Sequence, residues 1–174
     1  MSKISILHVI PSLDPLLGGT VECVRQVASC IGTKGYKVDV LCLDHPDSPW
    51  LPRCDFRTYA LDGGVLKYAF SPKLFMWLWR NSSRYDIVIV NGIWQFHALA
   101  TFLAGYFKKI PYIVYAHGML TEYSISWKRS KWLKKYLYWH LIERWVLMRA
   151  AAVIFTSQEE KESSLKSLAG SEHL

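Results

Sequence analysis

Four consecutive β-branched residues, Ile87 to Val90, stand between Asp86 and Asn91 in the segment DIVIVN. Such a run has no polar side to turn to water, so as a strand it must be covered on both faces. The same reading applies to Lys3–Ile10 (KISILHVI), Lys37–Leu43 (KVDVLCL), Tyr112–Ala116 (YIVYA) and Ala152–Thr156 (AVIFT), with Phe56–Ala60 a shorter, weaker strand. Helical spacing fills the intervals. Val21, Val24, Val27, Ala28 and Ile31 recur at three- and four-residue steps up to Gly35. Ser71-Pro72 has the capping residue and first-turn proline of a helix that runs to about Ser83. Phe96–Lys109 and a basic stretch, Trp127–Arg149, are read as further helices, and Ser157-Gln-Glu-Glu160 is a capping box that opens a last one. Strand and helix alternate about five times. That order predicts an α/β domain with a doubly wound, Rossmann-like parallel sheet and helices on both faces.

The 174 residues, 51% hydrophobic and 20% charged, are read as one domain spanning 1–174. Cys23, Cys30, Cys42 and Cys54 show no CxxC pair and no histidine at metal spacing, so they are expected to be buried thiols. The apolar run at the amino terminus is interrupted by Ser5 and His8, unlike a signal peptide, and no uninterrupted apolar stretch has the length of a membrane span. A cytoplasmic protein is expected, peripheral on the cytosolic membrane face if it touches a membrane.

In a doubly wound sheet the ligand crevice lies outside the carboxyl ends of the strands, where the winding reverses. Here those ends bring Gly18, Gly19, Asn91, His97, His117 and Gly118 towards one cleft. Gly18-Gly19 precedes a helix, where backbone amides suit an anion such as a diphosphate. The alternative is a glycine needed only for the turn. The pair is not GxGxxG, so an ordinary NAD-binding domain is disfavoured. His117 ends a strand and is read as a site residue; His97, in the first turn of a helix, caps or packs as readily as it binds. His8 and His140 are read as core or surface residues. These side chains form no catalytic triad and no zinc signature.

The segments ILHVIPSLDPLLGGTVECVRQVA, DIVIVNGIWQFHALATFLA, YIVYAHGML and AAVIFTSQEEKE resemble, in order and spacing, the amino-terminal half of family-4 (group 1) glycosyltransferases. The resemblance covers residues 3–168. It implies one half of a GT-B fold, in which two Rossmann-like domains face each other across a cleft. It also implies retaining transfer of a sugar from a nucleotide-sugar donor to a glycan or lipid-linked acceptor, without cofactor or metal, as in the assembly of cell-envelope glycans and polysaccharides. On it, Gly18 and Gly19 lie beside the donor diphosphate, His117 reaches the transferred sugar or the reacting hydroxyl, and Asn91, His97 and Gly118 belong to the acceptor side. The resemblance places the family's Glu-x7-Glu motif and basic phosphate-clamping pair in a carboxyl-terminal donor domain, which is expected to be absent from this chain. Glu160 and Glu162, on a surface helix, are not expected to replace them. This chain alone is therefore expected to be inactive; the alternative is a non-catalytic docking subunit that pairs with a separate donor domain.

The charge of +7 is concentrated, with seven Lys and Arg against one Glu in residues 127–149. On a helical wheel Leu133, Leu137, Leu141 and Met148 share one side, expected to pack on the sheet. Opposite them stand Lys128, Lys131, Lys135, Tyr138, Ile142, Trp145 and Arg149, expected to meet an anionic membrane surface. No nucleic-acid-binding module accompanies the charge, so nucleic acid is not an expected partner.

Overall fold

The computed structural model describes residues 4–64, 68–121 and 136–170, with side chains described up to residue 166. Six parallel strands form one sheet in the order β3-β2-β1-β4-β5-β6: β1 Ser5–Val9, β2 Lys37–Cys42, β3 Arg57–Ala60, β4 Ile87–Asn91, β5 Tyr112–Tyr115 and β6 Ala152–Ile154. β1 pairs with β2 on one side (Leu7 opposite Asp39) and with β4 on the other (Leu7 opposite Val88). The winding therefore reverses between β1 and β4, where the strand order of the sequence predicts it. The helices are α1 Gly19–Thr33, α2 Pro72–Asn81, α3 Phe96–Lys108, α4 Arg144–Met148 and α5 Gln158–Gly170, with a π-helical turn Trp139–Glu143 leading into α4.

Strand side chains alternate between two cores. Val38, Val40 and Cys42 pack with Val21, Val24 and Ala28 of α1, whereas Leu7, Val9, Val88, Val90 and Val114 pack with α2, α3 and Val146 of α4. Both faces of the sheet are thus dry, as the uninterrupted strand sequences require. α2 starts as its sequence indicates: Ser71 accepts from the Leu74 amide at 3.2 Å, and Pro72 takes the first helical position. In α3, a Cβ on Gly105 would lie 3.0 Å from the Ile110 carbonyl and the Tyr112 ring, so glycine sets how closely α3 returns to β5.

Two expectations need correction. Only Cys42 is a fully buried thiol; Cys23 and Cys54 are half-buried and Cys30 is exposed. The core side of α1 is taken by Val21, Val24 and Ala28, which puts Cys23 and Cys30 at its margin. The second correction concerns the basic stretch. Residues 122–135, with Lys128, Lys131, Leu133 and Lys135, lie outside the described residues. From 136 onward the side expected to pack on the sheet is exposed, while of the side expected outward Trp145 and Arg149 are exposed and Tyr138 and Ile142 are not. Tyr138, Trp139, Ile142, Glu143 and Val146 turn inward, and Leu137, Leu141 and Met148 are exposed. Aromatic area decides this. Tyr138 and Trp139 lie 6.1 Å and 5.9 Å from the Trp94 ring, and Tyr138 shares a 3.0 Å hydrogen bond with the Tyr68 hydroxyl. The large rings bury more apolar surface than the leucines would, and the Tyr138 and Tyr68 hydroxyls satisfy one another. Tyr138 is therefore half-buried against Trp94 and Tyr68 and not on the outward face expected for it.

Candidate functional site

The carboxyl edge of the sheet carries the loops that follow β1, β4, β5 and β6. The first is held down by Asp44, which accepts from the Ser12 hydroxyl at 2.5 Å and the Leu13 amide at 2.7 Å. It ends at Gly18, the N-cap of α1, with φ 82° and ψ −142°, a conformation that a side chain would strain. The loop after β5 contains two successive left-handed residues, His117 (φ 50°) and Gly118 (φ 77°). A left-handed non-glycine residue costs about 1–2 kcal/mol and persists only where its surroundings hold it.

Glu160 holds it. Although it stands in the first turn of α5, its side chain is turned inward and the residue is only 7% exposed. One carboxylate oxygen accepts from the Gly118 amide at 2.6 Å, and the other accepts from the Thr156 amide at 2.6 Å and from the Thr156 hydroxyl. Ser157 caps the Glu160 amide at 3.1 Å, as a capping box requires. The reciprocal bond reaches past Ser157 to Thr156 and Gly118, and so ties the β5 loop to the β6 loop. Burial favours the protonated acid, but the bonds from Thr156 and Gly118 outweigh it and hold the Glu160 pKa below its ordinary value. The expectation of a surface residue is thus corrected: Glu160 braces the site.

Behind His117 lies Asn91, at the end of β4. Its side-chain nitrogen is 3.3 Å from the Val9 and Ile89 carbonyl oxygens, which only accept, so that atom is the amide donor. The same nitrogen is 3.3 Å from His8 Nδ1, which therefore accepts and leaves the His8 proton on Nε2. The Asn91 side-chain oxygen faces His117 Nε2 at 3.3 Å, so His117 donates there and keeps the lone pair of the neutral ring on Nδ1. The Tyr115 ring stacks on the imidazole at 4.1 Å between centroids. Burial pulls the His117 pKa below its ordinary value, against the opposing charge of Glu160. His8, deeper in the sheet, is lowered by burial to about 4.

His117, Gly118, Gly19, Thr20, Cys23 and Thr156 enclose an open cavity of about 410 Å³. At Gly18, Gly19 and Gly118 no atom lies within 4 Å of where a Cβ would stand, so these backbones face open space. Of the residues singled out from sequence, the structure brings Gly19, His117 and Gly118 together at the cavity, and Gly18 caps the helix that begins at Gly19. Asn91 and His97 stand behind it. His97 is fully buried, donates from Nε2 to the Asn91 carbonyl at 3.0 Å, and is lowered by burial to a pKa of about 4. Its expected place in the wall of an acceptor pocket is corrected accordingly: both residues orient β4 and its loop from inside. Sequence reasoning missed Thr20, Cys23, Tyr115, Thr156 and Glu160. The signal for Glu160 was its place in a capping box directly after a strand that ends at this edge. Among the described residues no His, Cys, Asp and Glu side chains are grouped to hold a metal ion.

A six-stranded parallel sheet whose reversal point opens between a glycine-capped helix and a left-handed His-Gly turn defines a Rossmann-like domain. The chain belongs to the glycosyl transferase 4-like domain family, whose model matches residues 18–171. It is similar in fold to HepE of Anabaena in complex with UDP and glucose, with a TM-score of 0.67 and 16% identity, over 94% of this chain and 41% of that one. It is likewise similar to a glycosyltransferase of Rickettsia africae (TM-score 0.60, 18% identity, 95% of this chain and 40% of that one). A third similar structure is the UDP-GlcNAc 2-epimerase of Neisseria meningitidis bound to UDP-GlcNAc (TM-score 0.59, 16% identity, 97% of this chain and 44% of that one). The chain thus spans about two fifths of the length of these structures. No curated protein matches it by sequence.

Proposed function

We propose that this chain forms the acceptor-side wall of a retaining glycosyltransferase, which moves a sugar from a nucleotide-sugar to a lipid-linked or polysaccharide acceptor in cell-envelope glycan synthesis at the cytosolic membrane face. The observation that carries the reading is the pairing, across one open cavity, of the Gly18-Gly19 helix start with the braced His117-Gly118 turn, in a domain of this family. Amides at the start of α1 suit a diphosphate and offset charge that grows on it as a leaving group. His117, neutral near pH 7 and fixed by Asn91 and Tyr115, presents a ring nitrogen to the sugar or to the attacking hydroxyl. The braced turn keeps Gly118 without a side chain in the path of the acceptor. In this scheme the helix start, and not a metal ion, offsets the charge of the diphosphate. In a second reading, the same geometry serves a non-catalytic subunit that docks a separate donor domain. Titration of the isotope-labelled chain with UDP-glucose tests the shared step: Gly18, Gly19 and Gly118 amide signals are expected to move together, and movement confined to other residues contradicts it.

A further inference from the structure

The helices α2, α3 and α4 form the outer layer over one face of the sheet, and their composition is lopsided. α2 and α3 contain no Asp or Glu, and Glu143, just before α4, is fully buried. What this layer shows to solvent is apolar and cationic. Leu141, Trp145 and Met148 follow helical spacing and are 70%, 46% and 62% exposed. At the end of α3, Tyr106 and Phe107 are 54% and 60% exposed. The guanidinium of Arg149 lies 5.5 Å from the Tyr106 ring centroid, which joins the α4 and α3 surfaces into one. Lys108 stands 4.6 Å from the Trp79 centroid and extends the same surface to α2.

Soluble surfaces normally intersperse charges of both signs and keep large side chains covered. Among the described residues of α2, α3 and α4, large aromatics and aliphatics are exposed among cations alone. Charge decides the occupant. A second copy applied by a two-fold axis would set this cationic face against itself, like against like. An anionic bilayer satisfies both properties at once, since Trp, Tyr and Phe settle at headgroup depth and each nearby Lys or Arg is attracted to the lipid charge. The position also fits. Tyr106, Phe107 and Met148 lie near the ends of helices that lead into β5 and β6, on the opposite edge of the sheet from the cleft. A molecule resting on this surface keeps its cleft open.

We infer that the exposed face of α3 and α4, centred on Trp145, Phe107 and Arg149, docks on an anionic phospholipid surface. It replaces the stripe expected from the helical wheel, of which Trp145 and Arg149 remain and Tyr138 does not. Docking is independent of whether the cleft transfers sugar. The test is sedimentation of the whole chain with vesicles of phosphatidylcholine alone or mixed with phosphatidylglycerol, read also by tryptophan fluorescence. Binding is expected to the anionic vesicles only. The double variant Arg144→Gln/Arg149→Gln is expected to weaken it about 30-fold, and Leu141→Ser/Met148→Ser to weaken it without altering its salt dependence. Lys34→Gln, at the end of α1 on the other face, is expected to leave it unchanged. All the substituted side chains are exposed, and an unchanged circular dichroism spectrum verifies the fold. Equal recovery with neutral and anionic vesicles overturns the inference, as does a double variant that binds like the wild type. A concentration-dependent dimer abolished by these substitutions, with no vesicle binding, overturns it in favour of self-association.

Discussion

Replacing Glu160 by Gln tests whether the cleft is braced as described. Glutamine has the same shape but only one oxygen. It can accept from Gly118 or from Thr156, not from both, and its amide nitrogen, a donor, is then pressed against a donor N–H. A hydrogen bond to a charged group contributes about 1.5–3 kcal/mol, roughly twice a neutral one. Losing one and weakening the other therefore costs about 2–4 kcal/mol. Urea unfolding at pH 7 is the assay, with the midpoint falling and the slope unchanged. The pH dependence carries a second signature. The Glu160 pKa is depressed in the folded state, so its contribution is fully present above about pH 4.3, the ordinary glutamate value, and is lost as pH falls through the folded-state value. The gap between wild type and Glu160→Gln should therefore narrow in acid. His117 should also titrate at lower pH in the variant, since the Glu160 charge favours its protonated form. Unfolding energies within about 0.5 kcal/mol of each other at pH 7, the usual range for an unimportant surface substitution, would refute the brace.

Glu143 should behave with the opposite sign. It is buried against the Trp94 amide at 3.3 Å, and burial raises its pKa to about 7. The folded state then retains a proton that the unfolded chain releases, so stability falls as pH rises between about 4.5 and 7, by at most about 3 kcal/mol; Glu143→Gln should flatten this slope in pH-dependent thermal melts. Gly18→Ala should lower stability by about 1–2 kcal/mol through its backbone conformation. Gly19→Ala should cost far less, because nothing lies near its Cβ position.

The sheet was legible because its strands announce themselves without tertiary information. Ile87–Val90 has no solvent side, and Ser71-Pro72 marks a helix start by local chemistry alone. The cleft was legible in part for the same reason, since Gly18, Gly19 and His117 lie where strand or loop meets helix or turn. What stayed hidden depends on contacts between distant segments. His97 looked available in the first turn of α3, yet the Asn91 carbonyl draws it inward. Glu160 looked exposed on its helix, yet the Gly118 amide, 42 residues away, captures it. The faces of the 136–149 segment were misread because hydropathy ranks leucine above tyrosine, whereas Trp94 and Tyr68 offer an aromatic bed that only a side chain with a polar tip can finish.

The central claim is that the Gly18-Gly19 helix start and the His117-Gly118 turn form one binding surface for a nucleotide-sugar. Amide-resolved titration of the chain with UDP-glucose, compared with UDP and with glucose alone, tests it most directly. The account predicts that the diphosphate moves Gly18, Gly19 and Thr20, that the sugar is needed to move His117 and Gly118, and that His117→Ala abolishes the second response while leaving the first. Shifts absent from the Gly18-Gly19 segment at saturating ligand, or a sugar-dependent Gly118 shift that survives His117→Ala, would contradict it.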